Sequence, residues 1–343
     1  MKTAVLVCPG RGTYNAPELG YLARHHAGRA ALFAAFEAER AANDQPGLAA
    51  LDGMAHYSAA VHTRGDNASA LIFAASLADR LAIDPARWRI VAVTGNSMGW
   101  YSALACAGAV SPAAGFRIAN TMGTLMQRHL IGGQLVYPHV GADWRPNGGE
   151  KSRLLGLVGE IASRPGHVLA LSIDLGGLLV LAGNKAGLDA FSACVPVVDG
   201  RFPLRLANHA AFHTALQAPV AAAGRAALPD ALFGGPELPL IDGRGALWWP
   251  HATDAAELRA YTLGHQVTEA YDFTHAIQVA AREFAPDAFI VSGPGATLNS
   301  AVAQSLIGIG WRGLADKADF QARQSTAPLL ISLGMEAQRG LAV

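Results

Sequence analysis

The stretch VTGNSMGWYSAL, Val93 to Leu104, sets a serine between two glycines in the pattern G-x-S-x-G. The apolar run RIVAVTG (89–95) just before it predicts a strand, and the residues after it predict a helix to about Gly108. Strand, sharp turn and helix is the setting in which a serine hydroxyl is held exposed as a nucleophile at the top of a sheet. Ser97 is therefore a candidate nucleophile. The alternative reading makes it the N-cap of the helix that follows.

Working outward, TAVLVC (3–8) is a short apolar run stopped by PGRG, which predicts a buried strand entering a glycine-rich loop. Helical spacing covers residues 16–42 and 67–83, and Ser111-Pro112 opens a further helix to about Leu130. The character then changes. QLVYPHV, HVLALSI and LLVLAG predict short strands, with helices near 149–163 and 185–194. This predicts a small α+β insertion over 131–206, carried by a large α/β domain formed by 1–130 and 207–343. Beyond it the pattern predicts helices at 213–225, 254–264 and 273–284, a strand at 287–293, and another helix after Gly-Pro-Gly. The tail after Gly310 gives no clear pattern.

Composition narrows the classes. The 343 residues are 51% hydrophobic and 15% charged, enough for a large core. With 26 basic and 26 acidic residues the net charge is zero, and no long run of either sign points to nucleic acid or to a membrane surface. No stretch reaches the ~18 apolar residues of a membrane span, and the apolar start is too short for a signal peptide. Cys8, Cys106 and Cys194 give neither a metal nor a disulfide pattern and read as small buried residues. A cytoplasmic location is expected.

Four segments together resemble the acyl-carrier-protein malonyltransferases and the acyltransferase domains of polyketide synthases. They are CPGRGTY (8–14), GNSMGWYSALACAGAVS (95–111), NHAAFHTALQAP (208–219) and SGPGATL (292–298), in the family's order along nearly the whole chain. The resemblance implies a large α/β-hydrolase-like domain with a small ferredoxin-like insertion. It implies an acyltransferase with a Ser–His dyad, with Ser97 as nucleophile and His213 as base, and no metal or cofactor. The partners would be an acyl-coenzyme A and an acyl carrier protein. Backbone N–H groups of Arg11 and Met98 would form the oxyanion hole. The Arg11 side chain, where the family has glutamine, would cover the cleft, pair with a coenzyme A phosphate or lie in solvent. In the family a backbone carbonyl orients the histidine. The corresponding position here is Asp272, whose carboxylate could do the same or could cap the helix at 273–284.

The departures concern the acyl group. Met122 stands where malonyl-specific members carry a carboxylate-binding arginine, Asn96 replaces the histidine before the nucleophile, and Trp100 replaces a glutamate. SIDLGGL (172–178) stands where the family has a polar N-x-N-S-P-x-Q pattern. If these residues line the pocket, an uncharged acyl group is expected, because an unpaired carboxylate is costly in a semi-buried cleft. If Met122 is only core, Arg128, Arg11 or Arg205 could supply a relocated cation for ordinary malonyl transfer. An acyl-thioester hydrolase and a non-catalytic scaffold are the remaining readings. A scaffold would need neither Ser97 nor His213.

Overall fold

The computed structural model describes residues 1–343 and has two sheets. The larger runs in the order β11-β10-β1-β2-β7-β8. Its central strands are β1 (Lys2–Cys8), β2 (Trp88–Gly95) and β10 (Ala288–Val291), all parallel. Strand β11 (Leu330–Ser332) adds in parallel at one edge, while β7 (Leu240–Ile241) and β8 (Leu247–Trp248) form an antiparallel pair at the other. The apolar runs at the centre are covered by helices on both faces, as parallel strands require. The helix Gly65–Arg80 is buried along almost its whole length, consistent with apolar residues on every turn.

The second sheet has the order β6-β3-β5-β4-β9. Strands β3 (Gly133–Pro138), β4 (Leu169–Leu175), β5 (Leu178–Gly183) and β6 (Leu204–Arg205) come from the segment expected as an insertion. The fifth, β9 (Tyr271–Asp272), comes from far along the chain and pairs with β4 in parallel. Helices Gly148–Ala162 and Lys185–Cys194 accompany this sheet.

Several local expectations hold closely. Ser111 caps the helix Pro112–Arg128, accepting a hydrogen bond from the Ala114 N–H at 3.2 Å. Others change. Residues 16–42 form helices Tyr21–His26 and Ala30–Ala42 joined by a short 3-10 turn. The span expected as one helix at 254–264 is an α-helix over Ala255–Ala260 that opens into a π-helical turn, Tyr261–His265. The undefined tail contains the helix Lys317–Thr326 and edge strand β11. Cys8 and Cys106 are buried as expected, but Cys194 is exposed. No helix is long and apolar enough to cross a membrane.

Candidate active site

Strands β1 and β2 run in register to Cys8 opposite Gly95, so their carboxyl ends open on the same crevice. That is where parallel α/β sheets hold their ligands. Ser97 sits two residues past the end of β2, with φ of 56°, a left-handed conformation that L-residues adopt at a cost of about 1–2 kcal/mol. The flanking glycines make the turn possible. A Cβ on Gly95 would run into the Gly99 carbonyl, and one on Gly99 into the Cys8 carbonyl.

The Ser97 Oγ lies 2.7 Å from Nε2 of His213, whose Nδ1 lies 2.7 Å from the backbone carbonyl oxygen of Gln266. A carbonyl only accepts, so Nδ1 carries the proton and Nε2 presents its lone pair to the serine hydroxyl. Burial pushes the His213 pKa down to about 4, against the opposing effect of the Gln266 carbonyl. The imidazole is therefore neutral at pH 7, the form that can take a proton.

Gln266 is a residue that the sequence did not single out. It follows the π-helical turn, and its side chain donates to the Ser97 carbonyl at 3.0 Å and accepts from the Tyr101 hydroxyl at 3.1 Å. One residue thus ties the serine turn to the histidine. The histidine segment is also held by the second sheet. Ser172 on β4 donates to the Phe212 carbonyl at 2.8 Å and accepts from Gln134 on β3 at 2.7 Å. Gln134 Oε1 also accepts from His209 at 2.7 Å, so His209 is engaged away from the serine.

Asp272 is not the histidine's partner. It caps the helix Phe273–Phe284, with its carboxylate accepting from the His275 N–H at 2.7 Å. Its pKa is raised, chiefly by burial, whereas a carboxylate paired with an imidazolium would be held low. The backbone N–H groups of Arg11 and Met98 make no hydrogen bond within the protein and remain free to donate.

A small cavity opens beside Ser97, between Met98, Tyr101, Met126, Phe212 and Arg11. Its volume is about 10 Å³, close to the least that holds one water. None of the three expected acyl-pocket residues lines it. Met122 is fully buried, its sulfur packed against Gly224 on the neighbouring helix Ala218–Ala227. Trp100 is fully buried too, donating to Thr262 at 2.9 Å and meeting Tyr261 edge-on at 5.3 Å. It thereby fastens the π-helical turn that precedes Gln266. Asn96 is buried with its side-chain oxygen unpartnered, outside the cavity wall. Helical periodicity explains the miss: on Pro112–Arg128 it is Gly123 and Met126, not Met122, that face the serine.

Solved structures carry the same architecture. A malonyl-CoA:acyl carrier protein transacylase from Xanthomonas oryzae superposes with a TM-score of 0.74 at 19% identity, covering 99% of this chain and 97% of that one. The fold is that of the malonyl-CoA:acyl carrier protein transacylases. The acyltransferase domain of the second module of the salinomycin polyketide synthase matches with a TM-score of 0.70 at 20% identity, over 98% of this chain and 70% of that one. A malonyl-transacylase solved in complex with a type II polyketide synthase acyl-carrier protein matches with a TM-score of 0.69 at 21% identity, over 90% and 99%. No family model and no curated protein matches the chain. The resemblance read from the four sequence segments is thus borne out at the level of the fold.

Proposed function

We propose that this protein is an acyltransferase that takes an acyl group from a coenzyme A thioester onto Ser97 and passes it to the phosphopantetheine thiol of an acyl carrier protein. The observation that carries the reading is the line from Ser97 Oγ through His213 to the Gln266 carbonyl, at 2.7 Å on each side of the ring. The fold shared with transacylases and a polyketide synthase acyltransferase domain supports it, as does the transacylase solved with its carrier protein.

In this reading Ser97 Oγ attacks the thioester carbonyl as its proton passes to His213 Nε2. The backbone N–H groups of Met98 and Arg11 receive the oxyanion. Collapse breaks the carbon–sulfur bond, and the departing thiolate takes the proton from His213. The carrier thiol then gives its proton to His213 and attacks the acyl-serine, and Ser97 Oγ recovers that proton on leaving. Residues 1–130 and 207–343 would act as the hydrolase-like catalytic body and 131–206 as a ferredoxin-like lobe that braces the histidine. An uncharged acyl group loses its main support, because Met122 packs in the core.

The test is intact-mass measurement after incubation with a panel of acyl-coenzyme A thioesters, followed by addition of a carrier protein. A single acyl adduct that moves to the carrier, and is absent in Ser97→Ala, is the expected result. Adduct formation in Ser97→Ala overturns the nucleophile. Steady release of free acid in place of transfer favours the hydrolase.

A further inference from the structure

Arg11 follows β1 in the Pro-Gly-Arg-Gly loop and is one of the residues lining the Ser97 cavity. Its Nη2 donates to the Thr63 carbonyl at 2.7 Å and to the Asn208 carbonyl at 3.1 Å. The guanidinium lies 5.4 Å from the centre of the Phe212 ring. Its other amino group, Nη1, is buried and has no partner at all. No carboxylate pairs with it. Asp66 acts on it from a distance, but that carboxylate is held by Arg64 at 2.9 Å. Burial lowers the Arg11 pKa to about 10, so the group keeps its charge at neutral pH while lacking a counter-ion. The neighbouring His209 is pushed down to about 3 by burial and by the Arg11 charge, so it stays neutral.

A fixed, partly desolvated cation with a bare donor calls for an anion. The other arginines considered for the cleft do not compete. Arg128 is exposed, and Arg205 is exposed and paired with Asp189 at 2.6 Å. Position 122, on the helix Pro112–Arg128, offers only a methionine packed into the core.

We propose that Arg11 is the specificity-determining residue of the site, and that Nη1 receives the free carboxylate of a short dicarboxylic acyl group attached to Ser97. The guanidinium is oriented by two backbone carbonyls, so it is set in place before the acyl group arrives. Arg11 also lines a second cavity of about 130 Å³, together with Tyr14, Thr63, Ile72 and His209.

This inference rests on the acyl-Ser97 reading, and the experiment separates the two. Acylation rates of Ser97 are measured by intact mass with pairs of donors matched in length, malonyl against propionyl and succinyl against butyryl coenzyme A. The native protein should favour the carboxylate-bearing member of at least one pair by about tenfold to a hundredfold, the range of a hydrogen bond to a charged group. Arg11→Gln should collapse that ratio towards one or below, and Arg11→Lys should keep part of it. Reading the ratio cancels any general loss of rate from disturbing the loop. Equal or faster acylation of the native protein by both neutral donors overturns the role of Arg11 and leaves the acyl-serine standing. So does a preference that survives in Arg11→Gln. Labelling by no donor overturns both readings.

Discussion

Arg40 and Arg11 both reach into the large α/β body, on opposite terms. Arg40 is wholly buried, and each of its guanidinium nitrogens meets an acceptor. Nε donates to the Pro46 carbonyl at 2.8 Å, Nη1 to the Asp66 carbonyl at 2.9 Å and Asn120 at 3.0 Å, and Nη2 to Asn67 at 2.6 Å. Arg11 has acceptors for Nη2 alone, and its Nη1 is bare. Burial depresses both pKa values, yet only Arg40 is fully compensated by hydrogen bonds. A satisfied buried charge specifies structure, while an unsatisfied one beside a nucleophile is held ready for something that binds. His213 belongs with Arg11 in this respect: a buried titratable group kept in the form that the chemistry needs.

The largest expected effect lies on the catalytic side. His213→Ala should slow acylation of Ser97 by about 10²–10⁴-fold, the usual contribution of a positioned base. Stopped-flow or quenched acylation assays read this directly. Near-native rates would move the base elsewhere. The low pKa gives a second reading. His213 must be neutral to accept the serine proton, and its pKa lies near 4, so acylation should be flat from pH 8 to about 5 and fall only below that. An acid limb near 6.5 would mean a solvated histidine and an open cleft. Stability has the same sign. A histidine with a depressed pKa binds protons more readily when unfolded, so the melting temperature should drop as pH falls from 6.5 towards 4. In His213→Ala that drop should be smaller.

The structural side comes next in size. Arg40→Met would leave the oxygens of Asn67 and Asn120 and two carbonyls facing an apolar chain. A cost of about 3–5 kcal/mol in urea unfolding is expected, comparable to breaking a buried charged network. Arg11→Met removes a bare donor along with two bonds to backbone carbonyls, and should cost clearly less stability than Arg40→Met. If the two variants lose equal stability, the contrast between the arginines fails.

The paired serine and histidine of the candidate site were legible because each has a side-chain signature in a local context: the glycine-flanked turn after β2, and His213 in its motif. The central strands were legible because unbroken apolar runs such as TAVLVC suit a sheet covered on both faces. What escaped had no local signature. Gln266 contributes a carbonyl, which every residue has, and it is aimed at His213 by a π-helical turn that no periodicity announces. The bare nitrogen of Arg11 is visible only once Thr63 and Asn208, distant in sequence, are seen to engage its neighbour. Met122 misled because aligned position was taken for direction, and the helix turns its Gly123 and Met126 towards the serine instead.

The smallest effect sharpens that last lesson. Asp272 and the Gln266 carbonyl were alternative ways to orient His213, and they predict different losses. As a helix cap, Asp272 contributes its bond to the His275 N–H, and Asp272→Ala should cost about 1 kcal/mol of stability. The acid limb of acylation should stay where it is, because nothing bonded to the imidazole has changed. Had the carboxylate stabilised an imidazolium, its removal would lower the histidine pKa further and slow acylation by orders of magnitude. A urea titration and a pH–rate profile of this one variant separate the outcomes. Only the first pattern is compatible with a histidine oriented by a carbonyl.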